Sequence, residues 1–321
     1  MKSCTIICSA KSGKGMSKKK IESLEKVKKY LLEEKKMITD LVYTKYSGHA
    51  TDLARVVKSD IIINISGDGG LSEIIKGILD IPEGRRPVIC HIPSGTANDY
   101  SYNMEIHNKD LYHTVKDIIE NGRKIPLDTF YINNVNAFYS AGIGIFANIP
   151  YITSQKLKKK LGELAYMLTT FVSIFKRIPR FNAEIEVNGI REKGKYALIL
   201  ASNSESIGGL GKVLTNIDYS DGRFELTLLK YKNHIQVLKD LAKVIILRKD
   251  VDKYKNFSQY KTDKVKIKFL EDPNDHWCFD GEDGEKMSNG TIKETERNIK
   301  IEIGPSIDVL VPNKFKDKKS H

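Results

Sequence analysis

Asp60-Ile61-Ile62-Ile63-Asn64-Ile65, then Ser66-Gly67-Asp68-Gly69-Gly70, then Leu71, Ile74, Ile75 and Ile78: this stretch decides the fold. The β-branched run reads as a parallel strand covered on both faces. The apolar residues beyond the glycines recur at helical spacing. The same grammar returns at once, with strand Val88–Ile92, loop Pro93-Ser94-Gly95-Thr96-Ala97-Asn98-Asp99, and a helix around 110–120. Towards the N-terminus, Thr5–Cys8 reads as a buried strand. A helix follows, N-capped by Ser17 and carrying Ile21, Leu24, Val27 and Leu31; then come a strand at 38–43 and a helix at 50–58. Such βαβ alternation predicts an open parallel sheet wrapped by helices.

After Pro126 the pattern changes. Residues 130–145, 182–190, 195–202, 223–230, 264–270 and 297–303 are strand-like, with Gly, Asn or Asp in several connections. Helical patterns interrupt them at Lys156–Arg177 and at about 234–248. A second, mostly antiparallel domain is expected, and 321 residues suit two domains of roughly 150 each.

Hydrophobic content of 40% and charged content of 29% exclude wholesale disorder. The apolar run Thr5–Ser9 meets Lys11, Lys14 and Lys18 too soon for a secretory signal. Leu164–Phe175 is too short to span a bilayer. Cys4, Cys8, Cys90 and Cys278 lack metal-ligand spacing and read as reduced thiols. A soluble cytoplasmic protein is expected. The net charge of +12, from 53 basic residues against 41 acidic ones, points to an anionic partner. The lysines are not interleaved with aromatics, so nucleic acid is not expected, and most of them read as solvated surface.

Two glycine-rich loops, each leaving a parallel strand and opening a helix, offer backbone N–H groups to phosphate. Asp68 inside such a cradle would repel an anion unless it holds a metal or handles a proton. Phosphoryl transfer requires both services. An Asp-Gly turn bonded to its own backbone would explain the same residue equally well. Ser12-Gly13-Lys14-Gly15 lacks the spacing of a P-loop, and the histidines show no ligand spacing.

Ser66–Glu73 and Ile92–Asp99 together resemble the two signature loops of the diacylglycerol and sphingosine kinase catalytic domain. Tyr139–Gly144, Thr153–Lys158, Leu161–Tyr166, Asn203–Gly209, Asp221–Glu225 and Phe279–Glu282 follow in the order of the bacterial soluble lipid kinases. The resemblance implies an α/β N-terminal domain with a parallel three-layer sheet, of the NAD kinase/diacylglycerol kinase-like type, plus a C-terminal β-sandwich. The expected boundaries are 1–128 for nucleotide and 129–304 for lipid, with about 305–321 packing back on the first domain. It implies ATP and Mg²⁺ as cofactors, in a cleft between the domains, and γ-phosphate transfer to a lipid hydroxyl, most naturally that of diacylglycerol. Ser9, Gly67, Gly69, Gly70, Ser94, Gly95, Thr96 and Asn98 would contact the nucleotide. Asp68 would assist catalysis, Asp99 and Asp128 would bind Mg²⁺ through water, and Asp221 would sit at a second metal position. Glu282 would be the general base. Peripheral contact with an anionic membrane surface and a homodimer are the expected partnerships.

The chain departs from that family's pattern in places. Ser9-Ala10 stand where Asn-Pro is usual, Ser66 where glycine is, Gly70 where threonine is, and Ser72 where asparagine is common. The rival readings are an NAD kinase-like enzyme and a non-catalytic binder of lipid or nucleotide.

Overall fold

The structure, a computed structural model, describes residues 2–9, 17–95, 98–107, 110–145, 178–206, 214–215, 217–247, 251, 254–283 and 292–315. The expected helix Lys156–Arg177, Thr96 and most of Ser12–Ser17 lie outside them. The chain divides into two compact units: Met1–Leu127 with the segment that begins at Pro305, and Asp128–Gly304.

In the first unit, strands β1 (Ser3–Ser9), β2 (Ile38–Thr44), β3 (Ile61–Ser66), β4 (Val88–Pro93), β5 (Arg123–Leu127) and β17 (Ile307–Val311) form one sheet, ordered β2-β1-β3-β4-β17-β5. The first four are parallel, with Ile63 opposite Ile6 on one side and Cys90 on the other. β17 runs parallel to β4 and antiparallel to β5. Five of the six residues of β3 are buried, as the β-branched run requires. Each fully buried isoleucine there contributes about 1.5–3 kcal/mol. Helix α1 (Lys18–Lys29) is capped by Ser17, whose hydroxyl accepts from Lys20 N at 3.2 Å. It packs against α5 (Leu111–Asn121), while α2 (His49–Val56) packs against α3 (Asp68–Leu79). A five-residue helix, α4 (Asp99–Asn103), stands where the sequence reads as loop.

The α2–α3 pair explains Glu73. The residue before α2, Gly48, has φ 89° and no capping side chain. Glu73 of α3 supplies the cap: its carboxylate accepts from Gly48 N at 2.8 Å and from Ala50 N at 3.2 Å. Thr51 Oγ1 donates back to the Glu73 carbonyl at 2.9 Å. Gly77 lets the helices approach, since a β-carbon there would lie 2.4 Å from the Thr51 carbonyl.

In the second unit eleven strands form one antiparallel hydrogen-bonded network: β6 (Phe130–Ile132), β7 (Val135–Ala137), β8 (Ser140–Gly144), β9 (Phe181–Val187), β10 (Ile190–Ser202), β11 (Phe224–Lys230), β12 (Phe257–Thr262), β13 (Lys264–Phe269), β14 (Trp277–Phe279), β15 (Glu282–Asp283) and β16 (Asn298–Ile303). The antiparallel β-rich unit expected from the sequence is present, and its strands are linked through β10, whose thirteen residues pair with β9 over Ile190–Tyr196, then with β8 and β11 from Leu198 onward. One strand thus serves two groups of partners and joins them into a single sheet. Side chains from strands along it meet in one core with Phe130, Phe181, Phe224, Phe269, Trp277 and Phe279. Helix α6 (His234–Leu247) buries Val237, Leu241 and Val244. No described helix is long and apolar enough to cross a membrane.

Glu73→Ala removes both acceptors at the start of α2. It is expected to destabilise the protein by about 1–2 kcal/mol, the upper range for a lost N-cap, in urea denaturation.

Candidate active site

The two glycine loops of the first unit are joined by backbone and by one carboxylate. Ser94 N donates to the Ser66 carbonyl at 2.8 Å, extending the β3–β4 ladder past the strand ends. Gly67 and Gly95 are thereby brought together. A β-carbon on Gly95 would stand 2.7 Å from the Gly67 Cα, so only glycine fits this approach. Asn98, at φ 54°, clamps the second loop: its Oδ1 accepts from Gly95 N at 3.0 Å and its Nδ2 donates to the Gly95 carbonyl at 2.9 Å. Asn98, expected among the nucleotide contacts, also holds the shape of the loop that carries them.

Asp68 reaches across to the second loop. Its carboxylate accepts from Asp99 N at 2.9 Å and Tyr100 N at 3.2 Å, and so caps α4 from the opposite loop. The first intrahelical bond of α3 runs from Leu71 N to the Gly67 carbonyl at 3.1 Å. The N–H groups of Gly69 and Gly70 precede it, at the positive end of the helix, where an anion is favoured. Asp99 is buried. Ser9 ends β1, with its carbonyl 3.5 Å from Lys20 Nζ. The Ser94 hydroxyl has no hydrogen-bond partner among the described residues.

Ser66 and Gly70 are coupled. A β-carbon at position 70 would lie 2.5 Å from Ser66 Oγ and 2.6 Å from Ser66 Cβ. The Ser66 hydroxyl could rotate away, but its β-carbon is fixed by β3. The two departures from the family pattern are therefore one exchange. A side chain on the strand end fills the space that a side chain on the helix would need.

In the second unit the structure brings Asp128 and the 218–222 segment together. The buried Asp128 carboxylate accepts from Gly222 N at 2.6 Å, and its backbone N–H donates to the Tyr219 carbonyl at 2.8 Å. Asn203 Nδ2 donates to the Asp128 carbonyl at 3.2 Å. Asp221 already has a cation: its carboxylate forms an ion pair with the Lys261 ammonium and accepts from Arg223 N at 3.1 Å. Sequence reasoning missed Glu225, which stands opposite Lys261 in the β11–β12 ladder. Burial pushes its carboxyl up to about 8, with Lys261 opposing the rise and Asp221 adding to it. Its place on a strand of alternating residues gave no sign of this. Glu282 opens β15 opposite Phe279, directly after the Asp280-Gly281 turn. Among the described residues no three His, Cys, Asp or Glu side chains converge as a metal cage.

Two measurements check this account. Gly70→Ala should cost about 1–3 kcal/mol in urea denaturation, and Ser66→Gly in the same chain should recover most of it, a non-additive pair. Glu225 takes up a proton on folding between its ordinary value of 4.5 and about 8, so stability falls as pH rises through that window. Glu225→Gln should flatten the fall and leave the variant more stable than the parent above about pH 8.

Residues 3–132 match the model of the diacylglycerol kinase catalytic domain. A diacylglycerol kinase of Bacillus subtilis (strain 168) is 29% identical over 274 residues, covering 84% of this chain and 87% of the relative. Another, of Staphylococcus aureus (strain bovine RF122 / ET3-1), is 29% identical over 321 residues, covering 97% and 93%. The crystal structure of a diacylglycerol kinase from Bacillus anthracis str. Sterne aligns with a TM-score of 0.71 at 19% identity over 98% of each chain, a likeness of fold. Over residues 3–132 the chain is thus similar to the diacylglycerol kinase catalytic domain, and along most of its length to relatives named diacylglycerol kinase.

Proposed function

We propose that this chain is an ATP-dependent lipid kinase that moves the γ-phosphate of ATP to the hydroxyl of diacylglycerol, giving phosphatidic acid and ADP. The observation that carries the reading is the joining of the two glycine loops through Asp68, inside the stretch that matches the catalytic domain. The N–H groups of Gly69 and Gly70, with the backbone of Gly67 and Gly95 and the hydroxyls of Ser94 and Thr96, would take the phosphates. Asp68 keeps the loops in register while they do so. Ser9, at the end of β1, would complete the nucleotide contacts.

Glu282 would accept the lipid hydroxyl proton as that oxygen attacks the γ-phosphorus and the bond to ADP breaks. Mg²⁺ arriving with ATP supplies neutralisation of phosphate charge. It needs no protein cage, because it keeps its waters and is met by one or two carboxylates. Asp99 and Asp128 are the residues assigned to it. Asp221, paired with Lys261, would stand at a second metal position. A chain of net charge +12 would work at an anionic lipid surface, where its substrate lies, as a cytoplasmic protein in peripheral contact. A homodimer belongs to the same reading.

The test is phosphorylation with labelled ATP and Mg²⁺, offering diacylglycerol in mixed micelles and NAD as the alternative acceptor. Diacylglycerol should be labelled, and Glu282→Gln should lower kcat by about 10²–10⁴-fold, as loss of a general base does. Labelling of NAD with none of the lipid would replace this reading by the NAD kinase one.

A further inference from the structure

Asp280 is buried at 2% exposure, yet it sits in a turn. Its Oδ1 accepts from three successive backbone N–H groups: Phe138 at 3.2 Å, Tyr139 at 3.1 Å and Ser140 at 3.2 Å. Oδ2 adds a contact to Phe138 N at 3.4 Å. Its own N–H donates to the Ser140 carbonyl at 2.7 Å, one step beyond the β14–β8 ladder. Three amides converging on one oxygen form an anion nest, and here the anion is a side chain of the same unit. Such charge-assisted bonds are about twice as strong as neutral ones.

The backbone at Asp280 is equally constrained. Asp280 and Gly281 have φ values of 49° and 78°, and Phe279 pairs with Glu282 across them. This is a two-residue hairpin of the type that Asp-Gly favours, with positive φ at both centres. On one side the turn is held by Phe279, fully buried in the core. On the other it delivers the backbone of Glu282. A carboxylate bound by three amides and a hairpin with positive φ at both centres together fix the backbone that leads into Glu282.

We infer that Asp280 is a positioning residue for the phosphoryl transfer: its buried carboxylate locks the turn that aims Glu282. This rests on the assignment of Glu282 as the base. Asparagine is the discriminating substitution, because it tolerates positive φ and keeps one acceptor, but it brings an NH₂ group and no charge to the three amides. Asp280→Asn should quicken hydrogen exchange at Phe138–Ser140 and lower kcat by about tenfold or more, with KM for ATP unchanged. In an Asp280→Asn background, Glu282→Gln should cost far less than it does alone, since the base is already misplaced. Should Asp280→Asn fold poorly, Gly281→Ala strains the same turn without touching the carboxylate, and the same fall in kcat at constant KM is expected.

A kcat within twofold of the parent for either well-folded variant, despite quickened exchange, would make Asp280 a structural residue only. Unchanged exchange at Phe138–Ser140 in Asp280→Asn would overturn the clamp itself. Full activity in Glu282→Gln alone would overturn the base assignment instead, and the exchange measurement would still report on the clamp.

Discussion

The bond from Asp68 to the backbone of Asp99 and Tyr100 is the constraint on which the first unit's site depends. Two loops from adjacent parallel strands would otherwise move independently, each with mobile glycines at its tip. A carboxylate placed one residue into α3 can reach α4 only because Gly67 and Gly95 pack backbone to backbone beneath it. The glycines allow contact, and the aspartate turns contact into register. Its negative charge is tolerated near a phosphate cradle because the α4 amide dipoles already oppose it.

The same device recurs through the molecule. Glu73 closes the start of α2 from α3, Asp128 binds Gly222 N, and Asp280 gathers three amides of another strand connection. Each is a carboxylate satisfied by backbone N–H across a long stretch of sequence. Irregular backbone at a site must have its polar groups paired, and short acidic side chains do this without adding bulk. Lys261 against Asp221 is the exception, where an ammonium does what amides do elsewhere.

Much of this was legible beforehand, where local pattern and tertiary role coincide. The run Ile61–Ile65 is buried on both faces and reads so. Ser17 caps its helix because its spacing leaves it nothing else to do. The two strand–turn–helix units that carry the glycine loops were legible from the order of strand, turn and helix alone. Legibility failed where a residue's role is set by a distant partner. Asn98 clamps its own loop through both ends of its amide on Gly95, which its place in the loop sequence does not show. Ser66 and Gly70 looked like two departures and share one volume. Glu225 sits opposite Lys261 by strand register, which no local spacing encodes. Strand β10 changes partners part-way, and a strand's neighbours are not written in its own residues.

Strand β17 carries a consequence for how the molecule is made. It fills the gap between β4 and β5, yet it follows the whole of Asp128–Gly304 in the chain. Residues up to Leu127 therefore emerge with an unpaired lane between β4 and β5, next to one edge of their sheet, and they wait while all of Asp128–Gly304 is synthesised. Vectorial synthesis, which ordinarily lets the leading domain mature first, here reverses the order of completion. A message truncated anywhere before Ile307 would yield a leading unit whose β4 and β5 offer open edges to any passing strand.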